Sequence, residues 1–113
     1  MAAVRQEAID QMVGAFDSVF FKALSEPVRV AIIRHLVAEG PSDIGGIAQG
    51  MPQDRSVISR HLKVLSDAGL VRAEKQGRHR IYTLCSGVFI DRLEEILTLT
   101  RRCIAACCPE ELR

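Results

Sequence analysis

The stretch Asp54–Leu70, DRSVISRHLKVLSDAGL, decides how the rest of the chain is read. Ile58, Leu62 and Leu65 recur at helical spacing, so one face of a helix is built to be buried. The opposite face carries Arg55, Ser56, Ser59, Arg60 and Lys63, each able to donate a hydrogen bond to an anion or a base edge. A helix bolted to a core by one face and presenting donors on the other has the design of one that lies in a DNA major groove. Asp54 supplies its N-cap, and Gly69 fits the position just past its C-terminus.

The flanking residues complete a helix-turn-helix and a wing. Ser42 is placed to cap a short helix over 43–49 with Ile44, Ile47 and Ala48 inward; Gly45-Gly46 weakens it by about 1 kcal/mol per glycine. Gly50-Met51-Pro52-Gln53 turns the chain into Asp54, so residues 42–68 read as a helix-turn-helix. After Gly69 the period changes from helix to strand. Leu70–Lys75, the turn Gln76-Gly77-Arg78 and His79–Leu84 predict a β-hairpin over 70–84, with Ile81 and Leu84 inward. Lys75, Arg78 and Arg80 are placed for phosphates or the minor groove.

Charge distribution points the same way. The whole chain nets only +1, but residues 55–80 hold seven basic residues against Asp67 and Glu74, a balance of +5 that leaves the remainder at −4. Basic charge confined to one segment reads as a local phosphate-binding surface rather than a uniformly solvated face. Apolar residues make up 48% of the 113, which supports one folded domain over 1–113, and aromatics at 4% require a mostly aliphatic core. No apolar run approaches the roughly 18 residues of a membrane span, and no signal-peptide pattern opens the chain, so a cytoplasmic protein without a membrane partner is expected.

Residues 3–24 read as one helix with a broad stripe of Ile9, Met12, Val13, Phe16, Val19, Phe20 and Leu24, wider than a lone surface helix needs. Ser25 is placed as N-cap and Pro27 as a first-turn residue of a helix over 26–38 that packs with Val30, Ile33, Leu36 and Val37 and ends at Gly40-Pro41. A last helix over 87–108 carries Phe89, Leu93, Ile96, Thr100, Cys103 and Cys107 in steps of 4, 3, 4, 3, 4, a heptad-like seam. The first and last helices hold more apolar surface than a winged domain can hide, which a symmetric homodimer resolves. The fold class is therefore mainly α with a β-hairpin wing, in the order α-α-α-α-β-β-α, dimerised through the first and last helices.

Several segments in this order resemble the arsenic-repressor (ArsR/SmtB) family of bacterial winged-helix regulators. They are Lys22-Ala23-Leu24-Ser25-Glu26-Pro27-Val28-Arg29, Ile58-Ser59-Arg60-His61-Leu62-Lys63-Val64-Leu65, Ala68-Gly69-Leu70-Val71, and Gln76-Gly77-Arg78 with Tyr82. The resemblance covers roughly residues 16–84 and implies a dimer that releases double-stranded operator DNA when an effector binds. It also implies two usual effector sites, and this chain departs from both. The third helix, Asp43-Ile44-Gly45-Gly46-Ile47-Ala48, lacks the family's cysteine pair. The last helix has Asp91, Glu94 and Glu95 but no histidine. Some relatives instead carry C-terminal cysteines for trivalent arsenic.

Of the four cysteines, Cys103, Cys107 and Cys108 fall within six residues. Cys103 and Cys107 are i, i+4 and share a helix face, and Cys108 follows where Pro109 breaks the helix. Three thiolates without a nearby histidine suit a soft, thiophilic species. Trivalent arsenic or antimony takes three sulfurs and keeps a lone pair, whereas Zn²⁺ usually wants a fourth ligand and Cd²⁺ is also served by one. The remaining Cys85 lies roughly 27 Å away along one helix, so it joins the cluster only from a partner subunit. Thiol redox or persulfide chemistry and plain apolar packing are the other readings of the same residues. No organic cofactor is implied. A thiol reductase finds no support, since there is no Cys-x-x-Cys pair and no nucleophile–base arrangement near the thiols; the chain is not expected to be an enzyme. A winged helix used only for protein contacts is disfavoured by the concentrated +5 segment.

Within the DNA-facing set, Ser59 and Arg60 are placed for base edges, with arginine able to take guanine bidentately. Gln53, Ser56 and Lys63 are placed to set register on phosphates. His61, beside Leu62, is read as a structural or phosphate contact, and His35 and His79 as remote from the thiols.

Overall fold

The computed structural model describes residues 2–107. Its elements run α1 (Ala2–Phe16), α2 (Val19–Leu24), α3 (Pro27–Glu39), α4 (Ile44–Gln49), α5 (Arg55–Asp67), β1 (Val71–Gln76), β2 (His79–Leu84) and α6 (Ser86–Cys107). The helical winged architecture with its β-hairpin is as the sequence predicts. The first helical stretch, however, is divided. Ser18 has extended backbone and its Oγ accepts from Phe21 N at 3.3 Å, so it caps a new helix instead of continuing the old one.

Two further caps differ from expectation. Glu26, not Ser25, opens α3: its Oε2 accepts from Val28 N at 2.7 Å and from Arg29 N at 3.3 Å. Ser25 closes α2 instead, its hydroxyl donating to Lys22 O at 2.7 Å. Asp43, not Ser42, opens α4, with Oδ1 accepting from Gly46 N at 2.8 Å. In both cases a carboxylate stands one residue closer to the helix than the serine, and it complements the helix N-terminus better. Ser42 pairs its backbone with Tyr82 of the wing, and its hydroxyl donates to Gly40 O at 2.9 Å.

α5 is built as read. Asp54 accepts from Val57 N, and Ile58, Leu62 and Leu65 are fully buried. Its end is a Schellman closure: Gly69 N donates to Ser66 O, Leu70 N donates to Leu65 O, and Gly69 has φ +76°. Leu70 is buried, supplying the apolar contact that accompanies this motif. The hairpin pairs Val71 with Leu84 through Gln76 with His79, leaving Gly77-Arg78 as a two-residue loop. Gly77 takes φ +63° at the first central position, where a tight hairpin turn needs glycine.

The core gathers Phe20 and Ala23 of α2, Ile32 and Leu36 of α3, Ile47 of α4, the three anchors of α5, and Leu70 and Val71. On α3 the buried side is Ile32 and Leu36, while Val30 and Val37, expected inward, are exposed. The apolar-rich segment 28–37 offers two stripes, and packing against α5 uses the one through Val28, Ile32 and Leu36. In the wing, Tyr82 and Leu84 pack on the core, whereas Ile81 sits across from Glu74 on the other face. Strand side chains alternate with period 2, so Ile81 and Leu84 cannot share a face.

Outside this body stands an arm. α1 has no fully buried residue and lies along α6, with its N-terminal half against the C-terminal half of α6. Of the seam read on α6, Phe89 and Ile96 pack on the core and Cys103 is buried, but Leu93 is exposed and joins Ile90 and Leu97 in an outer stripe. The radius of gyration is 17.9 Å, against about 13 Å for a compact chain of this length.

Candidate nucleic-acid interface and cysteine site

Burying Ile58, Leu62 and Leu65 fixes the rotation of α5, and that rotation exposes Arg55, Ser56, Ser59, Arg60 and Lys63. Three of these donors are partly engaged. Ser56 Oγ donates to Asp54 Oδ1 at 2.7 Å, reinforcing the cap. This bond, followed by that from Val57 N, holds the Asp54 carboxyl below the usual carboxylate range. Lys63 pairs with Asp67 at 3.3 Å on the surface, a contact weak enough to yield to a phosphate. Arg55 lies over α4; a Cβ on Gly45 would stand 3.1 Å from its Nη2. Gly45, which costs helix stability, lets this guanidinium lie close beside α4, where a side chain would make it shift.

Asp43 joins the short helix to the wing. Its Oδ2 meets His79 Nδ1 at 3.0 Å. The bond from Gly46 N lowers its pKa most; burial opposes it, and the charge and hydrogen bond of His79 and the charge of Arg55 add smaller lowering effects.

On the wing, Lys75, Arg78 and Arg80 are all exposed. Register puts Lys75 directly across from Arg80 on the strand face that, further down, carries Val71, Tyr82 and Leu84 into the core. Like charges directly opposite repel, so this pair is stable ground for an anion rather than for the hairpin alone. Between wing and α5 runs a groove of about 510 Å³ lined by Ser59, Lys63, Arg72 and Arg80 among others. Arg72 is a cation of this groove that the sequence reading counted in the charge balance without assigning it a contact. Its signal was its place one residue past Val71, where strand alternation turns a side chain outward.

Two residues of the DNA-facing set sit differently. Gln53 is half-buried in the turn before α5, its Oε1 enclosed without a hydrogen-bond partner among the described residues. His61 is half-buried and turns toward α3, where Arg29 Nη1 donates to its Nδ1 at 3.3 Å.

At the far end of α6, Cys103 is 6% exposed and Cys107 half-buried, its Sγ 3.7 Å from the carbonyl oxygen of Arg5 on α1. Cys108 lies outside the described residues. Cys85 is at the opposite end of α6, where its carbonyl accepts from Val88 N and Phe89 N. The described donor set is thus two sulfurs at i, i+4, and no group of three His, Cys, Asp or Glu side chains comes together among the described residues. Two soft donors on one face, with a third following in sequence, fit a thiophilic ion rather than a hard one.

The helix-turn-helix domain family matches residues 24–74. An uncharacterised HTH-type transcriptional regulator of Methanocaldococcus jannaschii is 33% identical over 79 residues, 70% of this chain and 84% of that protein. The ArsR-like transcriptional regulator from Rhodococcus sp. RHA1 superposes with a TM-score of 0.66 at 30% identity, covering 78% of this chain and 85% of that one. A structure described as a possible transcriptional regulator for arsenical resistance gives 0.58 at 34% identity, covering 71% and 78%. Matches to some other curated relatives span only 46% to 59% of those proteins. No helix among the described residues is long and apolar enough to cross a membrane.

Proposed function

The chain belongs to the ArsR/SmtB family of winged helix-turn-helix transcriptional regulators, and from that premise we propose that it is a homodimeric repressor released from operator DNA by a thiophilic effector. The observation that carries the DNA half is the exposed row Arg55, Ser59, Arg60 and Lys63 beside the opposed cations Lys75 and Arg80. Ser59 and Arg60 read base edges; Gln53, Ser56, Lys63, Arg78 and the wing cations set register on phosphates. Two α5 helices of a dimer then address half-sites about one helical turn apart.

Trivalent arsenic or antimony is the effector, held by Cys103, Cys107 and Cys108, with Cys85 of the same chain too far along α6 to join them. The i, i+4 thiols against α1 support this, as does the likeness to a possible regulator for arsenical resistance. Capture there releases DNA only through a difference in affinity for two dimer shapes. Since α1 covers Cys103, closing a three-sulfur site displaces α1 from α6, and these helices carry the exposed apolar stripe through which the dimer forms.

The test is a gel shift on a duplex that the protein selects from a random library, titrated with arsenite, antimonite, Cd²⁺, Zn²⁺ and a peroxide. Arsenite or antimonite releases the wild type, and Cys103→Ser or Cys107→Ser no longer responds while still binding DNA. Release by peroxide alone would replace the effector reading with a redox one. Arg60→Ala loses the shift with the dimer intact; an unchanged shift would refute the placement of α5 on DNA.

A further inference from the structure

Arg29 holds three elements at once. From the first turn of α3, its Nε donates to Ala23 O at 2.7 Å and its Nη2 to Lys22 O at 3.1 Å, both in the last turn of α2. Nη1 donates to Nδ1 of His61, midway along α5, at 3.3 Å. A cation in the first turn of α3 is unfavourable toward that helix's own dipole, but its fork lies at the C-terminal end of α2, where a cation is favoured. Arginine has no acceptor, so His61 must present the lone pair of Nδ1 and carry its proton on Nε2. Glu26 Oε2, which caps α3, stands 3.9 Å from the same Nδ1 and makes no hydrogen bond to its lone pair.

α2 is also where the arm meets the body. The ring of Phe20 lies 5.7 Å from Phe89 of α6, edge to face, and Phe21 lies 5.6 Å from Phe16 at the end of α1. We propose that Arg29 and His61 are positioning residues that tie the end of α2 to the DNA-reading helix, so that a displacement of α1 and α6 resets α5. Aromatic contact carries the displacement to α2, and the guanidinium fork carries it on to His61. Neither residue touches DNA. His61 thereby leaves the set of DNA contacts and acts through the orientation of its neighbour Arg60. This inference rests on α5 being the DNA-reading helix, and its test separates the two.

Four variants are compared on the selected duplex: Arg29→Gln, His61→Phe, the two combined, and His61→Asn, whose carbonyl oxygen stands near the position of Nδ1. Each of the first two weakens binding by about tenfold, the loss expected of a hydrogen bond from a charged donor. Combined, they weaken it no further, and His61→Asn recovers most of the loss. Independent effects multiplying to about a hundredfold, or an asparagine variant as weak as the phenylalanine one, would overturn the tie. Ring ¹⁵N–¹H correlation spectra of the DNA-free protein supply a second readout. The Nε2–H tautomer in the wild type, disturbed by Arg29→Gln, supports the tie, and a proton on Nδ1 refutes it. That spectrum decides the tie independently of whether the wild type selects a duplex; failure to select one counts against the DNA reading instead.

Discussion

At the scale of single residues, charge is arranged for a partner as much as for the fold. Lys75 and Arg80 face each other across the hairpin, a placement that costs the isolated chain and gains when a phosphate lies between them. Lys75→Ala is therefore expected to leave thermal stability unchanged or slightly raised while weakening DNA binding without regard to sequence. The slope of log affinity against log salt falls by about 1, as for one lost phosphate contact; titration by fluorescence anisotropy at several salt concentrations measures it. Asp43 and Asp54 tell the complementary story. Hydrogen bonds at helix starts lower both carboxyls, Asp43 chiefly through Gly46 N and Asp54 chiefly through Ser56. A carboxyl whose pKa is lower folded than unfolded contributes stability fully above its unfolded pKa and loses it as pH falls through the folded one. Stability should thus fall with acid below about pH 4, the ordinary aspartate range. Asp54→Asn keeps an N-cap and removes the titration, so denaturation midpoints measured between about pH 2 and 5 should show a shallower acid slope for the variant. An identical slope would mean that the cap carries no linked proton.

At the scale of elements, what was legible in the sequence depended on whether one principle acted alone. α5 could be read to its ends because apolar period, Asp54 and Gly69 agree, and because its apolar residues offer one dominant stripe. α3 could not, since its apolar-rich segment offers two stripes and only its packing against α5 picks Ile32 and Leu36 over Val30 and Val37. Caps went astray for a related reason: Ser25-Glu26 and Ser42-Asp43 each place two cap-competent residues side by side, and the choice rests on which reaches the first free N–H groups. The division at Ser18 hid inside a continuous apolar pattern. Of the site, the exposed donors of α5 and the wing follow from periodicity, while the turning of His61 toward Arg29 is a contact between residues 32 apart that no local pattern encodes. The Schellman closure gives the clearest element-level prediction. Gly69 stands at φ +76° with nothing within 4 Å of where a Cβ would go, so Gly69→Ala meets backbone strain and no clash. A loss of about 1–2 kcal/mol is expected in urea unfolding, with DNA contacts untouched; no loss would show that the helix end relaxes at no expense to the wing.

At the scale of the molecule, the chain is elongated. Its extents are 58 × 25 × 21 Å, and a body that buries its own core carries an arm of α1 and α6 that does not. Of the large apolar residues left exposed, Val4, Val13 and Phe16 lie on α1 and Ile90, Leu93 and Leu97 on α6, while Val19, Val30, Val37 and Val64 lie on the helices of the body. On α6 Cys103 is buried and Cys107 meets Arg5 O of α1, so in the proposed reading dimerisation and effector capture use different parts of the helix surface. In that reading a change at Cys103 reaches Leu93 through movement of the whole helix rather than through shared contacts. Leu93 is 53% and Leu97 48% exposed, so a charge at either breaks no intramolecular packing. In a two-fold interface each substitution acts twice and brings like charges together. Leu93→Glu combined with Leu97→Glu is expected to keep the wild-type helical spectrum and sediment as a single chain. It should bind a full operator no better than a half-site, since the linkage between two recognition helices is gone. A variant that still sediments as a dimer would place the interface elsewhere. It would also remove the proposed route by which the arm carries an effector's signal from one protomer's cysteines to both recognition helices.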